Sequence, residues 1–264
     1  MQISEELELA IKAALKAGKV IMEIYDSENF EIELKGDSSP LTNADTASHD
    51  IIKSYLSMST LPLLSEEGAV IPYTERINWK RFWMVDPIDG TKEFIKRNGE
   101  FTVNIAIVEK QNSVLGVVYA PALKELYFAE QGLGSYKVEG ISSYEKFEEN
   151  NFKNLSKSIY PDLYTLVVSK SHKNHKTQDF VNEKEKELGT IAIASFGSSL
   201  KICKVADGSA HCYPRFGPTM EWDTAAAHAV ASFSGNKVVQ ADGITQMRYN
   251  KKNLLNPFFI IEKV

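Results

Sequence analysis

Residues Trp83 to Phe94 read WMVDPIDGTKEF, an apolar run that ends in two aspartates three positions apart, with Pro87 and Ile88 between them and Gly90 and Thr91 directly after. The run predicts a strand that delivers Asp86. Pro87 lacks an N–H and is expected to stop the strand there. Gly90 permits backbone conformations that other residues resist, and the amides after it can open a helix. Two readings fit: an Asp-Gly turn with a solvated second carboxylate, or a pair of hard oxygen ligands for a divalent cation beside amides that hold an anion.

Short strand-like pieces surround this stretch. LPLLSEEG (61–68) precedes it, and FTVNIAIVE (101–109), VLGVVYAP (114–121), ELYFAE (125–130) and GSYKV (134–138) follow, with KQNS (110–113) as a hairpin turn. Further upstream, Ser4 can cap a first helix, with Glu5 and Glu6 in its first turn and Leu7, Ile11, Leu15, Met22 and Tyr25 on one face. FEIELK (30–35) alternates like a strand, and Thr42 with Asp45 three later is a capping-box variant opening a second helix.

From Gly140 the chain turns polar and irregular, which places a boundary between an N-terminal α+β half (1–140) and a C-terminal α/β half (141–264). The second half alternates LYTLVVS, TQDFVNEKEKEL, TIAIAS, SLKICKVADG, AHCYP, EWDTAAAHAVASF, KVVQ and FFIIEK, as a layered α/β unit does.

The 264 residues suffice for one large domain or two closely packed ones. A net charge of −5 argues against a nucleic-acid binder. Cys203 and Cys212 have neither zinc-site spacing nor the number for a disulfide scaffold, so a cytoplasmic protein is expected. The first twenty residues, rich in early glutamates, do not read as a signal peptide, and no apolar run reaches the length of a membrane span.

Other carboxylates could join the Asp86–Asp89 stretch. Glu66 and Glu67 end a strand, where alternation lets one of the two reach a site. Asp223 lies near the start of an alanine-rich helix beside Trp222; it is either a helix cap or a ligand carried inward by tight packing. Asp45 is a cap on its own spacing. Paired with the Thr91 hydroxyl, it could hold and deprotonate a water.

VDPIDGTKEFIKRNGEFTVNIAIVEKQNSVLGVVYAPA together with WDTAAAHAV resembles the inositol monophosphatase family of magnesium-dependent, lithium-sensitive phosphatases. SPLTNADTASHDII, SEEG, GTKEFI and YPRFGPTMEWDTAAAHAV are similar, more narrowly, to its bacterial 3′(2′),5′-bisphosphate nucleotidases. The resemblance implies an αβαβα sandwich of the inositol monophosphatase and fructose-1,6-bisphosphatase type, with the site between the halves. It implies two or three Mg2+ ions held by Glu66, Asp86, Asp89, Asp223 and the Ile88 carbonyl, and a catalytic pair of Asp45 and Thr91. Ile88, Asp89, Gly90 and Thr91 would hold the scissile phosphate, with Glu66 and Asp223 also at the substrate. Substrate selection would fall to Ser169 and His172 of SKSH, Gly197 and Lys201 of GSSLK, and Arg215. Surface-loop and solvated-helix roles are the alternatives for His172 and Lys201. An arginine at 215, where inositol-specific relatives tend to carry a glutamate, favours a second phosphate.

The implied reaction is removal of the 3′-phosphate from adenosine 3′,5′-bisphosphate, giving AMP. The alternatives are an inositol or broad sugar-phosphate phosphatase and, outside enzymes, a metal-dependent nucleotide-binding regulatory module. The expected partner is a small phosphorylated nucleotide, with no nucleic acid. Monomer or homodimer, and peripheral contact with the inner membrane, stay open.

Overall fold

The strands around Trp83–Phe94 are apolar at nearly every position because both faces of their sheet are covered. The computed structural model describes residues 1–27, 32–34, 40–148, 151–169 and 174–264. Helix α1 (Glu5–Asp26) starts where expected, with the Ser4 side chain accepting from the Leu7 amide at 3.1 Å. Strands β1 (Ile32–Leu34) and β2 (Pro40–Thr42) form a two-stranded ribbon that leads into α2 (Asn43–Leu56). The Thr42 amide donates to Asp45 at 2.8 Å, so the capping box is real.

The chain then lays down β3 (Leu63–Ser65), the one-turn α3 (Tyr73–Arg76), β4 (Arg81–Asp89), the short α4 (Thr91–Ile95), β5 (Thr102–Glu109), β6 (Asn112–Ala120), β7 (Glu125–Glu130) and β8 (Gly134–Glu139). After α5 (Tyr144–Glu148), β9 (Lys153–Asn154) completes a seven-stranded sheet in sequential order β3 to β9. That sheet therefore extends past the polar stretch beginning at Gly140. Lys110 and Gln111 both have positive φ (48° and 68°), as a two-residue hairpin loop requires, with Glu109 opposite Asn112.

The second half contains β10 (Thr165–Ser169), α6 (His175–Leu188), β11 (Ala192–Phe196), α7 (Leu200–Ala206), β12 (Cys212–Arg215), α8 (Glu221–Phe233), β13 (Asn236–Gln240) and β14 (Phe259–Lys263). Its five strands run in the order β11-β10-β12-β14-β13.

Alternate residues of the large sheet enter different cores. Trp83, Val85, Ile105, Ile107 and Val117 pack with α1 and α2, whereas Met84, Ala106, Val108 and Val118 pack with α7 and α8. Leu166, Cys212 and Ile260 of the second sheet face Val181 of α6. The layers are thus helix, sheet, helix, sheet, helix. That is the expected αβαβα sandwich.

In the middle layer α8 lies very close to the large sheet. Ala225, Ala226, Ala227, Ala229 and Ala231 are buried, and a Cβ on Gly116 of β6 would fall 2.1 Å from the Ala226 carbonyl oxygen. Only glycine fits there.

Candidate active site

Contrary to expectation, β4 does not stop at Pro87. Asp86 stands opposite Asn104 and Asp89 opposite Thr102, so three steps on β4 match two on β5. The extra residue is a bulge. In a regular strand, residues three apart face opposite ways; the bulge returns Asp86 and Asp89 to the same face. That face continues Met84 and looks into the α7–α8 layer. Pro87 contributes its carbonyl, which accepts from Ser48 Oγ at 2.8 Å, and the Ile88 amide donates to Asp86 Oδ1 at 3.1 Å.

Three carboxylates meet there. Oxygens of Glu66, Asp86 and Asp223 all lie within 4.8 Å of one another. Glu66 follows β3 and is held by its own amide donating to the Val85 carbonyl at 3.1 Å. Met220 is the N-cap of α8, and Asp223, three residues on, closes the capping box by accepting from the Met220 amide at 2.9 Å through Oδ2, while its side chain also joins the cluster. Burial, then Glu66, Asp89, Asp223 and Asp45 in turn, pushes the Asp86 carboxyl well above its usual range. Asp223 is raised well above by burial and then by Asp89. Burial also raises Asp89, against the pull of Lys201 and a hydrogen bond from Ser198. Hard anionic oxygens gathered at this cost fit a divalent cation such as Mg2+.

Asp45 and Thr91, 46 residues apart, also meet. Thr91 Oγ1 donates to Asp45 Oδ1 at 3.2 Å and lies 3.4 Å from the Ile88 carbonyl oxygen. Asp45 is 1% exposed, and its other oxygen accepts from Thr42 Oγ1 at 2.6 Å. Gly90, at φ 94°, turns the chain into α4. With a single turn of helix, what α4 presents at its start is the free amides of that turn rather than a macrodipole.

Asp89, Gly90 and Asp223 share one cavity with Ser169, Ser198, Lys201 and Arg215. Lys201 is 7% exposed, which removes its solvated-helix alternative. Burial draws its ammonium down to about 8; Asp89 opposes this and Arg215 adds to it. Arg215 donates to the Pro218 carbonyl at 2.8 Å, while its buried Nε has no partner. Gly197 is a structural glycine in this conformation: its amide donates to Glu100 at 2.7 Å, and a Cβ would fall 2.7 Å from the Glu100 carbonyl. His172 lies outside the described residues.

Sequence reasoning passed over Ser198, Ser199, Thr102 and Asn104, which form a hydroxyl chain ending on Asp89. Ser198 and Ser199 sat inside the GSSLK element. No spacing rule separates them from ordinary loop serines.

The profile of the inositol monophosphatase family matches residues 2–258. The 3′(2′),5′-bisphosphate nucleotidase CysQ of Salmonella typhimurium is 44% identical over 96% of this chain and 98% of its own length. The same-named protein of Escherichia coli K12 is 40% identical over the same shares. The crystal structure of CysQ from Bacteroides thetaiotaomicron superposes with a TM-score of 0.89 at 46% identity, covering 98% of this chain and 97% of that one. An inositol monophosphatase of Thermotoga maritima, at 23% identity and a TM-score of 0.76, shares the fold.

Proposed function

The chain belongs to the inositol monophosphatase family, and we propose that it removes the 3′-phosphate of adenosine 3′,5′-bisphosphate, giving AMP and inorganic phosphate. It is a 3′(2′),5′-bisphosphate nucleotidase, as its near-full-length relatives are named. One observation carries the choice of substrate: a single cavity joins Asp223 of the acidic cluster, and Asp89 beside it, to two buried cations, Lys201 and Arg215. Such a cavity suits a molecule with one phosphate to lose and another to be gripped.

Glu66, Asp86, Asp89, Asp223 and the Ile88 carbonyl would hold two or three Mg2+ ions. Bound there, Mg2+ supplies Lewis acidity and neutralises charge on the reacting phosphate. The chain's own groups do the rest. The amides of Gly90 and Thr91 cradle the phosphate oxygens. Thr91 Oγ1 accepts a hydrogen bond from the attacking water and passes its proton toward Asp45, whose Oδ1 it already contacts at 3.2 Å. Thr42 keeps the Asp45 carboxylate aimed, through bonds of 2.6 and 2.8 Å to its other oxygen. Lys201 and Arg215 orient the second phosphate, with Ser169 beside them.

Among the described residues no helix is long and apolar enough to cross a membrane. Cys203 and Cys212 are free and buried, and we assign the reaction to the cytoplasm. Phosphate release measured with Mg2+ on adenosine 3′,5′-bisphosphate, AMP and inositol 1-phosphate tests the reading. Preference for the bisphosphate is expected, and Arg215→Glu should erase it by raising KM for the bisphosphate about tenfold or more. Equal losses on all substrates would refute the role of Arg215, and faster turnover of inositol 1-phosphate would refute the substrate.

A further inference from the structure

The loop before α7 is fixed to the first half of the molecule by five hydrogen bonds. The Gly197 amide donates to Glu100 at 2.7 Å, Ser198 Oγ donates to Asp89 Oδ2 at 2.6 Å, Thr102 Oγ1 lies 2.5 Å from Ser198 Oγ, and Ser199 Oγ donates to Asn104 Oδ1 at 2.8 Å. Ser199 Oγ also lies 2.8 Å from Thr102 Oγ1. Ser198, Ser199, Thr102 and Asn104 are all buried.

Counting protons gives the chain a direction. Asp89 only accepts, so the single hydroxyl proton of Ser198 goes to it. Thr102 must then donate to Ser198. Ser199 Oγ gives its proton to the Asn104 carbonyl oxygen and lies beside Thr102 Oγ1, which is itself 3.4 Å from that oxygen. Thr102 and Ser198 thus donate in series toward Asp89 Oδ2, while Ser199 donates to Asn104. Ser198 reaches its place with φ 52°, a left-handed conformation unfavourable for a residue with a Cβ. The serine is held in a conformation that glycine would adopt more easily, and what it provides there is the hydroxyl.

We propose that Ser198, oriented by Thr102, is a positioning residue that sets the Asp89 carboxylate for Mg2+. This rests on the reading of Asp89 as a metal ligand. Ser198 Oγ fixes Oδ2, and the Ser199 amide also donates to this carboxylate, so its orientation is set from the loop before α7. Outer-shell hydrogen bonds of this kind orient ligands, and their loss costs roughly 10–100-fold in metal affinity. Because Lys201 follows two residues after Ser199, the same loop joins the metal side of the cavity to its substrate side.

The test is a Mg2+ titration of the substrate-free full-length protein, followed by thermal shift, for wild type, Ser198→Gly, Thr102→Val and Thr102→Ser. Ser198→Gly relieves the backbone and deletes the hydroxyl. Its melting temperature without metal should equal or exceed that of wild type, while its Mg2+ midpoint rises about tenfold or more. A merely structural role would not split the two readouts in this way. Thr102→Val should raise the midpoint by a smaller factor, and Thr102→Ser, which keeps the proton, should not. A Ser198→Gly midpoint equal to wild type overturns the proposal. If that variant does not fold, Thr102→Val decides, and an unchanged midpoint there overturns it equally. A wild type that shows no Mg2+ response would sink the metal reading itself, an outcome distinct from a wild-type response that the variants share.

Discussion

Two clusters of buried charge lie on opposite sides of α7, and they are built on opposite principles. At the C-terminal end of the helix, Lys137 reaches Glu125 at 2.9 Å and Glu139 at 2.6 Å, and Lys204 reaches Glu125 at 3.0 Å. Asp207 lies 3.6 Å from both lysines, and Tyr127 donates to Glu125 and Asp207 at 2.8 and 3.0 Å. Burial works against the Glu125 carboxylate, yet Lys137 and Lys204 hold it below its usual range. At the N-terminal end, Asp86 is pushed the other way, by burial and then by four further carboxylates. In the first cluster two lysines answer three carboxylates within the chain, and these pairs fasten α7 to β7 and β8. The second leaves its carboxylates raised despite Lys201 and Arg215 nearby. Burial left short of compensation, rather than burial of charge as such, is what singles out a candidate site.

The contrast can be broken most sharply at Asp86. Asp86→Asn should lower phosphate release by more than the roughly 100-fold typical of losing an outer-shell partner, yet raise the melting temperature of the metal-free protein by relieving repulsion. Steady-state kinetics and calorimetry on one preparation would show whether activity and stability part. Thr91→Val changes no charge and should cost about 10²- to 10⁴-fold in kcat, with the Mg2+-induced thermal shift preserved. A lost shift would make Thr91 part of the metal cage instead.

On the lysine-paired side the expectation reverses. Lys137→Met leaves Glu125 and Asp207 short of a cation and should cost about 3 kcal/mol in urea unfolding, with KM for the nucleotide little changed. The smallest effect concerns pH. Asp86, Asp89 and Asp223 all have raised proton affinity in the folded state. Folded protein then binds more protons than unfolded protein, so metal-free stability should fall as pH rises from the unfolded carboxylate range, about 4, through the raised values. His228, drawn down to about 4 by burial, slopes oppositely: its contribution is lost as pH falls from about 6.5 toward 4. That limb is common to both states of loading. The difference between Mg2+-saturated and metal-free stability should therefore widen with pH, and a constant difference would count against the cluster.

Much of this was legible in the chain because it rests on local rules. Alternation, turn residues and caps mark the large sheet, α1 and α2, and the alanines of α8 announce close packing around Asp223. Thr42 and Asp45 were readable as a cap, whereas the contact of Asp45 with Thr91 needed the folded chain. Pro87 misled for a physical reason: a missing N–H ends a regular ladder, but a bulge accommodates it while the strand continues. Ser198, Thr102 and Asn104 gave no signal, since their role exists only where β5 and the loop before α7 face one another. Arg76 is a similar case. It is buried 174 residues away in sequence from its partner Asn250, to which it donates at 2.8 Å.

The absent side chain at Gly116 has a reach beyond packing. Ala226 lies one helical turn after Asp223, so the hydrogen at position 116 acts as a shim under the part of α8 that carries this carboxylate. Oxygen–metal distances for magnesium and calcium differ by only about 0.3 Å. A methyl group at 116 would lift the helix by more than that. A residue of β6 with no side chain thereby sets how far the Asp223 carboxylate stands from Glu66 and Asp86, to the tolerance on which a choice between such ions turns.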